Sequence, residues 1–223
     1  MIILEKYDDP SVAVTHALKL VFSYMNEIED KTSMAKKYTP NIFSRLKAAR
    51  KTSAIVCFDI DDTLIFDVSN VRNAKKMNPN HEVIRLMQRL SDLAVEIHLI
   101  TARVNDPDFI AETKKELEMY GIFHVSEKKP GPKYKSLTLA PNRVRTSMAS
   151  ISNWKMTVRK RIASESKTSI TLTVGDQWGD MIVLKDENQI DEFDKEHAVS
   201  DSPFLILRPQ DGVSLWGLKL PAR

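Results

Sequence analysis

Carboxylate side chains follow an apolar run of the sequence at a spacing that could do chemistry. Residues 54–58 are apolar, and Asp59 and Asp61 come directly after them. A short apolar run bounded by polar residues is typical of a buried strand, and in an extended chain alternate side chains lie on one face. Both carboxylates can therefore point into one space, where charges about 4 Å apart repel by roughly 4 kcal/mol at an effective dielectric of about 20. This repulsion predicts a bound cation, a bound proton or a functional role.

Two further apolar runs also end on polar side chains. Residues 95–100 lead to Thr101, and residues 169–174 lead to Gly175-Asp176, with Asp180 four residues further on. Because parallel strands share their carboxyl edge, we expect these side chains and the two aspartates above to converge on one crevice.

A helix predicted from about residue 152 to residue 163 lies between the last two of these strands. It carries Lys155 and Arg159, which are four residues apart and therefore share one helical face.

Strands alternate with helices along the chain, a pattern that favours a mainly parallel sheet with helices on both faces. A helix beginning near Ser11 and a second over residues 42–49 predict a helical lead-in over residues 1–51. We expect a single domain over residues 1–223, with a core over 52–184 and a C-terminal segment, 185–223, that contains a further strand.

Four motifs in order carry a resemblance to a known family. They are Asp59-Ile60-Asp61-Asp62-Thr63, then Thr101, then Lys155, and finally Gly175-Asp176 with Asp180. This pattern resembles the haloacid dehalogenase-like (HAD) hydrolase superfamily. Trp-Lys-x-x-x-Arg at 154–159 and Gly-Asp-Gln-Trp-x-Asp at 175–180 look most like its acid-phosphatase branch, which includes plant acid phosphatases. The resemblance covers roughly residues 52–184 and implies a three-layer, Rossmann-like α/β core.

The resemblance implies a Mg²⁺-dependent phosphatase. Asp59 would be the nucleophile that forms an aspartyl-phosphate, and Asp61 would be the general acid and base. HAD enzymes that act on carbon–halogen bonds lack this second aspartate, so its presence favours phosphate esters. Mg²⁺ would be held by Asp59, the backbone carbonyl of Asp61 and Asp176, because it prefers oxygen ligands.

The other motif residues would bind phosphate or orient the binding groups. Thr101 would donate a hydrogen bond to phosphate and Lys155 would balance its charge, although Lys133 and Lys135 are alternatives for the second role. Asp180 would orient Lys155 or a metal-bound water.

Three further side chains have two interpretations each. Thr63 either satisfies the turn after the strand or contacts substrate. Arg103 and Arg159 form ion pairs with the carboxylates or contact substrate. Cys57, the single cysteine, lies in the apolar run and is expected to pack in the strand.

The overall composition excludes little beyond a membrane protein. The formal net charge is +3, which does not by itself imply a nucleic-acid or membrane partner. No apolar run approaches the roughly 20 residues that span a bilayer, and the N-terminus lacks a secretory signal pattern. We therefore expect a cytoplasmic protein with no membrane association.

The intervals after the first two motifs are too short for a large cap domain, so we expect an open site with room for a bulky phosphorylated substrate. One alternative function is a nucleotide or nucleic-acid-end (DNA or RNA) phosphatase. Its phosphate contacts would come from the basic loop at 128–135 and from Arg143, Arg145, Arg159, Lys160 and Arg161. A second is a non-catalytic phosphate-binding or regulatory module on the same fold.

Overall fold

A mainly parallel sheet between two layers of helices forms the core of the protein. The computed structural model describes residues 2–35, 54–67, 77–184, 186, 188–189, 204–209 and 211–221. In chain order its elements are β1 (Ile2–Tyr7), α1 (Pro10–Ala35), β2 (Ile55–Phe58), β3 (Ile65–Asp67), β4 (Met77–Pro79), α2 (His81–Asp92), β5 (Glu96–Val104), α3 (Pro107–Met119), β6 (Phe123–His124), β7 (Lys133–Tyr134), β8 (Ser136–Ala140), α4 (Met148–Ser166), β9 (Ile170–Gly175), β10 (Phe204–Arg208) and β11 (Ser214–Lys219). Short 3-10 helices lie at Asn142–Val144 and Trp178–Asp180.

The seven-stranded sheet has the order β1-β10-β11-β9-β2-β5-β8. The five strands from β11 to β8 run parallel to their neighbours, whereas β10 is antiparallel to both β1 and β11. The predicted α/β class with a mainly parallel sheet is therefore confirmed. Parallel strands β9, β2 and β5 bring their carboxyl ends to one edge, which is where ligands bind in such sheets.

Strand β2 is buried on both faces, which explains its uninterrupted apolar sequence. Val56 and Phe58 pack with α1 and α2 on one side of the sheet. Ile55 and Cys57 pack with α4 on the other side. Burial of one such side chain stabilises the fold by about 1.5–3 kcal/mol, so the strand is fixed in position just before Asp59.

Cys57 has the packing role that the apolar run indicates. Its side chain is 2% exposed under α4, and burial raises the pKa of its thiol to about 12. The side chain is therefore a protonated, apolar part of the core at neutral pH.

The N-terminal lead-in differs from the helical segment expected from the sequence. Residues 2–7 form the edge strand β1, paired with β10, and α1 begins at Pro10. The sequence Ile-Ile-Leu-Glu-Lys-Tyr has no strict alternation of apolar and polar residues, so its strand character depends on the pairing with β10. The second helix predicted at residues 42–49 lies outside the described residues.

No large cap domain is present among the described residues. The segment after the first motif contributes the short β3–β4 pair, and the segment from Thr101 to Lys155 contains α3, the short strands β6 and β7, and β8. In the part of the chain that the structure describes, no helix is both long and apolar enough to cross a membrane.

Candidate active site

The turn after β2 places Asp59 at the carboxyl edge of the sheet. The backbone N–H of Asp59 donates to the carbonyl of Val174 at 2.9 Å, which extends the pairing with β9 by one residue. The chain then turns at Asp62, whose φ of 54° lies in the left-handed region that aspartate tolerates better than most residues. The backbone N–H of Asp62 donates to the carbonyl of Ile65 at 2.8 Å and closes this turn.

Three buried aspartates meet at this edge. Asp59 follows β2, Asp176 follows β9, and Asp180 lies in the 3-10 helix that comes next. One carboxylate oxygen from each lies within 4.8 Å of the other two. At that separation two full charges repel by about 3 kcal/mol at an effective dielectric near 20. The fold thus holds together groups that repel one another.

Lys155 of α4 is the cation that faces this cluster. Its Nζ lies 2.5 Å from Oδ1 of Asp180 and 3.0 Å from Oδ1 of Asp59, and all three side chains are buried. The contact with Asp180 is a hydrogen bond, whereas the Oδ1 atom of Asp59 accepts no hydrogen bond. One carboxylate oxygen in the site is therefore buried with only an ion pair to compensate it.

Asp180 is held in place by its own loop. Its Oδ2 atom accepts a hydrogen bond from the backbone N–H of Gln177 at 3.1 Å. A Cβ atom at Gly175 would lie 2.2 Å from this same oxygen, so only glycine leaves room for the carboxylate. The need for close approach explains the glycine in the Gly175-Asp176 motif.

The electrostatics of the cluster reflect an excess of negative charge. Burial raises the pKa of Asp59 well above its usual range, and the carboxylates of Asp180, Asp61 and Asp176 raise it further, against the opposing effect of Lys155. Burial and then the charge of Asp180 raise the pKa of Asp176 to about 6. Burial alone would lower the pKa of Lys155, but Asp180 and Asp59 more than offset it and raise the pKa. One ammonium does not neutralise three carboxylates.

Asp61 lies at the mouth of the site and is held by Arg103. Arg103 donates to Asp61 Oδ1 from Nε at 2.9 Å and from Nη2 at 2.7 Å, and Thr101 donates to Oδ2 at 3.1 Å. Arg103 also binds Glu116 and Thr113 of α3. Both Asp61 oxygens are therefore occupied by protein groups, although the side chain is 46% exposed.

Thr63 lies behind the cluster and not at its open side. Its side chain is fully buried and its hydroxyl donates to Oδ1 of Asp176 at 3.4 Å. Asn80, which the sequence reasoning did not select, donates to the carbonyl of Thr63 at 3.0 Å. Gln177, also not selected, donates to Oδ2 of Asp176 at 2.6 Å. Gln177 stands inside the Gly-Asp-Gln-Trp-x-Asp motif, which is a signal for its role, whereas no spacing in the sequence indicates the role of Asn80.

Arg159 is not brought to the cavity. Its Nε donates to Oδ2 of Asp211 at 2.9 Å, and both side chains are buried. The other oxygen of Asp211 accepts the backbone N–H groups of Val213 and Ser214 at the start of β11. Of the two interpretations from sequence, the structure places Arg159 in an ion pair, but with an aspartate outside the cluster.

The aspartates and Lys155 line an open cavity of about 430 Å³. Asp59, Asp61 and Asp176 contribute to its lining, and Ala102 contributes from the end of β5. The first two turns of α4 supply one wall, with Met148, Ile151 and Ser152, and the segment after β9 adds Gln177 and Gly179.

The basic loop at 128–135 lies at the opposite edge of the sheet. The backbone N–H of Lys135 donates to the carbonyl of Ile97, near the start of β5, whereas the site lies beyond the end of that strand. Lys135 forms an ion pair with Glu96 at 2.7 Å, and Lys129 lies 3.4 Å from Glu127. These lysines are compensated locally and do not reach the cavity.

The donor set fits a divalent cation that prefers oxygen ligands. Asp59 and Asp176 offer buried carboxylate oxygens, and the Asp59 oxygen without a hydrogen bond has capacity for a ligand. Asp180 is also near, but Lys155 and Gln177 occupy its two oxygens. Asp176 also accepts hydrogen bonds, from Gln177 at 2.6 Å and from Thr63 at 3.4 Å, but the second is long and leaves Oδ1 only weakly held. Asp59 and Asp176 are therefore better suited to hold the metal than Asp180.

Fold and site together define a class: an α/β protein whose acidic cavity lies at the carboxyl edge of a mainly parallel sheet. No family model matches the chain, and a search of curated proteins found no match. Among solved structures it is similar to the cobalt-bound deoxy-D-mannose-octulosonate 8-phosphate phosphatase of Haemophilus influenzae, with 14% identity and a TM-score of 0.33 over 59% of this chain and 63% of that one. It is also similar to a hypothetical protein of Xanthomonas campestris, with 17% identity and a TM-score of 0.32 over 59% of each chain. The match thus spans less than two thirds of either protein's length, and a likeness this low carries nothing about function.

Proposed function

We propose that this protein is a Mg²⁺-dependent phosphatase that hydrolyses a phosphate monoester through an aspartyl-phosphate on Asp59. The convergence of Asp59, Asp176 and Asp180 beside buried Lys155, in one open cavity, is the observation that carries the proposal. The motif resemblance to HAD hydrolases supports the same function.

The first chemical step uses Asp59 and Asp61. A carboxylate oxygen of Asp59 attacks phosphorus, and the bond from phosphorus to the ester oxygen breaks as the new one forms. Asp61 enters this step protonated and donates that proton to the departing ester oxygen, which leaves as an alcohol. Arg103 and Thr101 hold both Asp61 oxygens. The Asp61 side chain therefore rotates away from them, towards the cavity, for this transfer. Its exposed position leaves room for that rotation.

The second step returns the enzyme to its starting state. Asp61 takes a proton from a water molecule, whose oxygen attacks phosphorus and displaces the Asp59 carboxylate. Inorganic phosphate is released. Lys155 offsets negative charge on Asp59 and on the transferred group in both steps.

A bound Mg²⁺ would supply positive charge against the repulsion between the nucleophile and the phosphate. Asp59, Asp176 and the backbone carbonyl of Asp61 would hold it. In the same site Asp180 keeps Lys155 directed at Asp59, and Thr101 donates to Asp61 or, once that residue turns, to phosphate.

Hydrolysis of p-nitrophenyl phosphate, measured with Mg²⁺ and with EDTA, tests the proposal. We expect metal-dependent release, with a loss of about four orders of magnitude in Asp59→Asn, because the nucleophile is removed. Mass spectrometry of acid-quenched protein should detect a phosphorylated Asp59. Asp108→Asn makes the same chemical change at an exposed position of α3 and should retain activity. Undiminished turnover in Asp59→Asn, or no metal-dependent release from the wild type, would refute the proposal.

A further inference from the structure

Helix α4 forms one wall of the cavity, and this wall differs chemically from the floor of the cavity. The floor consists of the aspartates and Lys155, whereas the α4 wall presents Met148, Ile151 and Ser152, whose hydroxyl donates to the carbonyl of Ile182. Met148 and Ile151 are three residues apart, and Lys155 is four residues beyond Ile151, so these three lie on one helical face. From its amino end, α4 thus offers two apolar side chains and then the ammonium group that faces Asp59.

The helix rise sets the distance between these groups. At 1.5 Å per residue, Ile151 lies about 6 Å and Met148 roughly 10 Å from Lys155 along the helix axis. A leaving group that extends from a phosphate beside Lys155 towards the amino end of α4 would contact these two side chains. This distance matches an ester group of one ring or a short chain.

The charges in the cavity act against an additional anion on the substrate. Five aspartates line it, namely Asp59, Asp61, Asp62, Asp176 and Asp180. Among the described residues of the lining, Lys155 is the single cationic side chain, and it faces two of those carboxylates. Arg103 adjoins the mouth, but Asp61 and Glu116 share its guanidinium. Within the described parts of the chain, a second negative group on the substrate would find no free cation at this cavity.

We infer that the site selects phosphate monoesters whose leaving group is uncharged and apolar, and that Ile151 is the main specificity-determining residue. The inference rests on the phosphatase function proposed above. Ile151 is half-buried on the cavity wall, whereas Met148 also packs against the apolar cluster around Trp178 and Met181. Arg143 and Arg145, the basic residues that precede the amino end of α4, are exposed and do not line the cavity. Nucleotides and nucleic-acid ends are therefore disfavoured as substrates.

Two aryl esters of similar shape give a direct test, and the better leaving group of the two belongs to the ester that we expect to be disfavoured. The substrates are 4-methylphenyl phosphate and 4-carboxyphenyl phosphate, compared by kcat/KM at saturating Mg²⁺. We expect the wild type to favour the methyl ester by about tenfold or more, the discrimination that a hydrophobic contact typically gives. Ile151→Lys should reduce or reverse that ratio, because it replaces the apolar contact by a cation. Met119→Gln, at an exposed position of α3, should keep the wild-type ratio.

Each outcome bears on a different claim. Equal kcat/KM for the two esters in the wild type, an unchanged ratio in Ile151→Lys, or a preference for a 5′-phosphorylated oligonucleotide would overturn this inference and leave the phosphatase function standing. If no ester is hydrolysed in a metal-dependent way, the proposed function fails instead. The comparison of esters in the wild type does not depend on whether a variant folds.

Discussion

Helix α4 carries two buried cations four residues apart, and they have different surroundings. Arg159 meets one carboxylate, Asp211, in a closed part of the core. Lys155 meets two, Asp59 and Asp180, with Asp176 close by, at the floor of an open cavity. A buried cation with one matched anion fixes one element against another. An excess of negative charge next to a cavity leaves the site short of positive charge. A metal ion, alone or bound to phosphate, can supply that charge.

Removal of Arg159 should have the largest effect on stability. Arg159→Met leaves Asp211 buried without its cation, and we expect a loss of about 3–5 kcal/mol in the free energy of unfolding. The double variant Arg159→Met/Asp211→Asn should recover part of this loss, because the uncompensated charge is gone. Urea unfolding of the three proteins measures both effects. Equal stability of the single variant and the wild type would show that the pair does not anchor α4.

Removal of Lys155 should instead affect turnover. In Lys155→Met we expect kcat to fall by about 10²–10³, or roughly 3–4 kcal/mol in transition-state stabilisation, as for loss of one preorganised electrostatic group. Steady-state kinetics at saturating Mg²⁺, with circular dichroism to verify folding, provides the measurement. Lys160→Met, at an exposed position of the same helix, is the matched control. Retention of full kcat in Lys155→Met would make this lysine a structural residue like Arg159.

Divalent cations should stabilise the protein more at pH 7.5 than at pH 5. The pKa of Asp176 is about 6 in the folded protein, against an ordinary value of 3.8, so between these values the native state binds more protons than the unfolded state. Stability without metal therefore falls as the pH rises from about 4 to about 6. A bound cation offsets this loss of stability. At a concentration 100 times its Kd, the cation adds about 2.7 kcal/mol to the free energy of unfolding.

Thermal unfolding with Mg²⁺ or EDTA at the two pH values checks this expectation. Asp176→Asn should reduce both the effect of Mg²⁺ and the pH dependence of the apoprotein. A stabilisation by Mg²⁺ that is the same at both pH values would contradict it.

The ion pairs of the basic loop should contribute least to stability and to turnover. Lys129 is about half exposed, and Lys129→Ala should cost less than about 1 kcal/mol because surface ion pairs are weak. Its kcat/KM should equal that of the wild type, since the loop lies at the opposite sheet edge. A fall in kcat/KM with preserved stability would show that the loop contacts substrate.

The sequence predicts the position of a site residue where the local pattern and the geometry of the sheet agree. Asp59 and Asp176 follow strongly apolar runs, and the shared edge of parallel strands is enough to place them together. The order of the motifs, together with the helical face that it shares with Arg159, predicts a role for Lys155. The edge strand β1 and the strand β11 were not predicted, because their sequences mix polar and apolar residues and their pairing is with distant segments.

The remaining parts of the site depend on contacts between residues far apart in the chain. Arg103 and Asp61 are 42 positions apart, and Arg159 and Asp211 are 52 apart. No spacing in the sequence shows that one arginine lies at the cavity mouth and the other in the core. The position of Arg159 in the core follows from the pairing of β11 with β9, which brings the turn at Asp211 under α4.

The buried thiol of Cys57 makes the protein convenient for labelling. Thiolates are the reactive form of cysteine, and a side chain that is 2% exposed with a pKa of about 12 reacts slowly with maleimides at neutral pH. Because Cys57 is the one cysteine in the sequence, a Met119→Cys variant would carry a single reactive thiol without any change to the core. A fluorophore attached there would leave the active-site residues of the native sequence untouched.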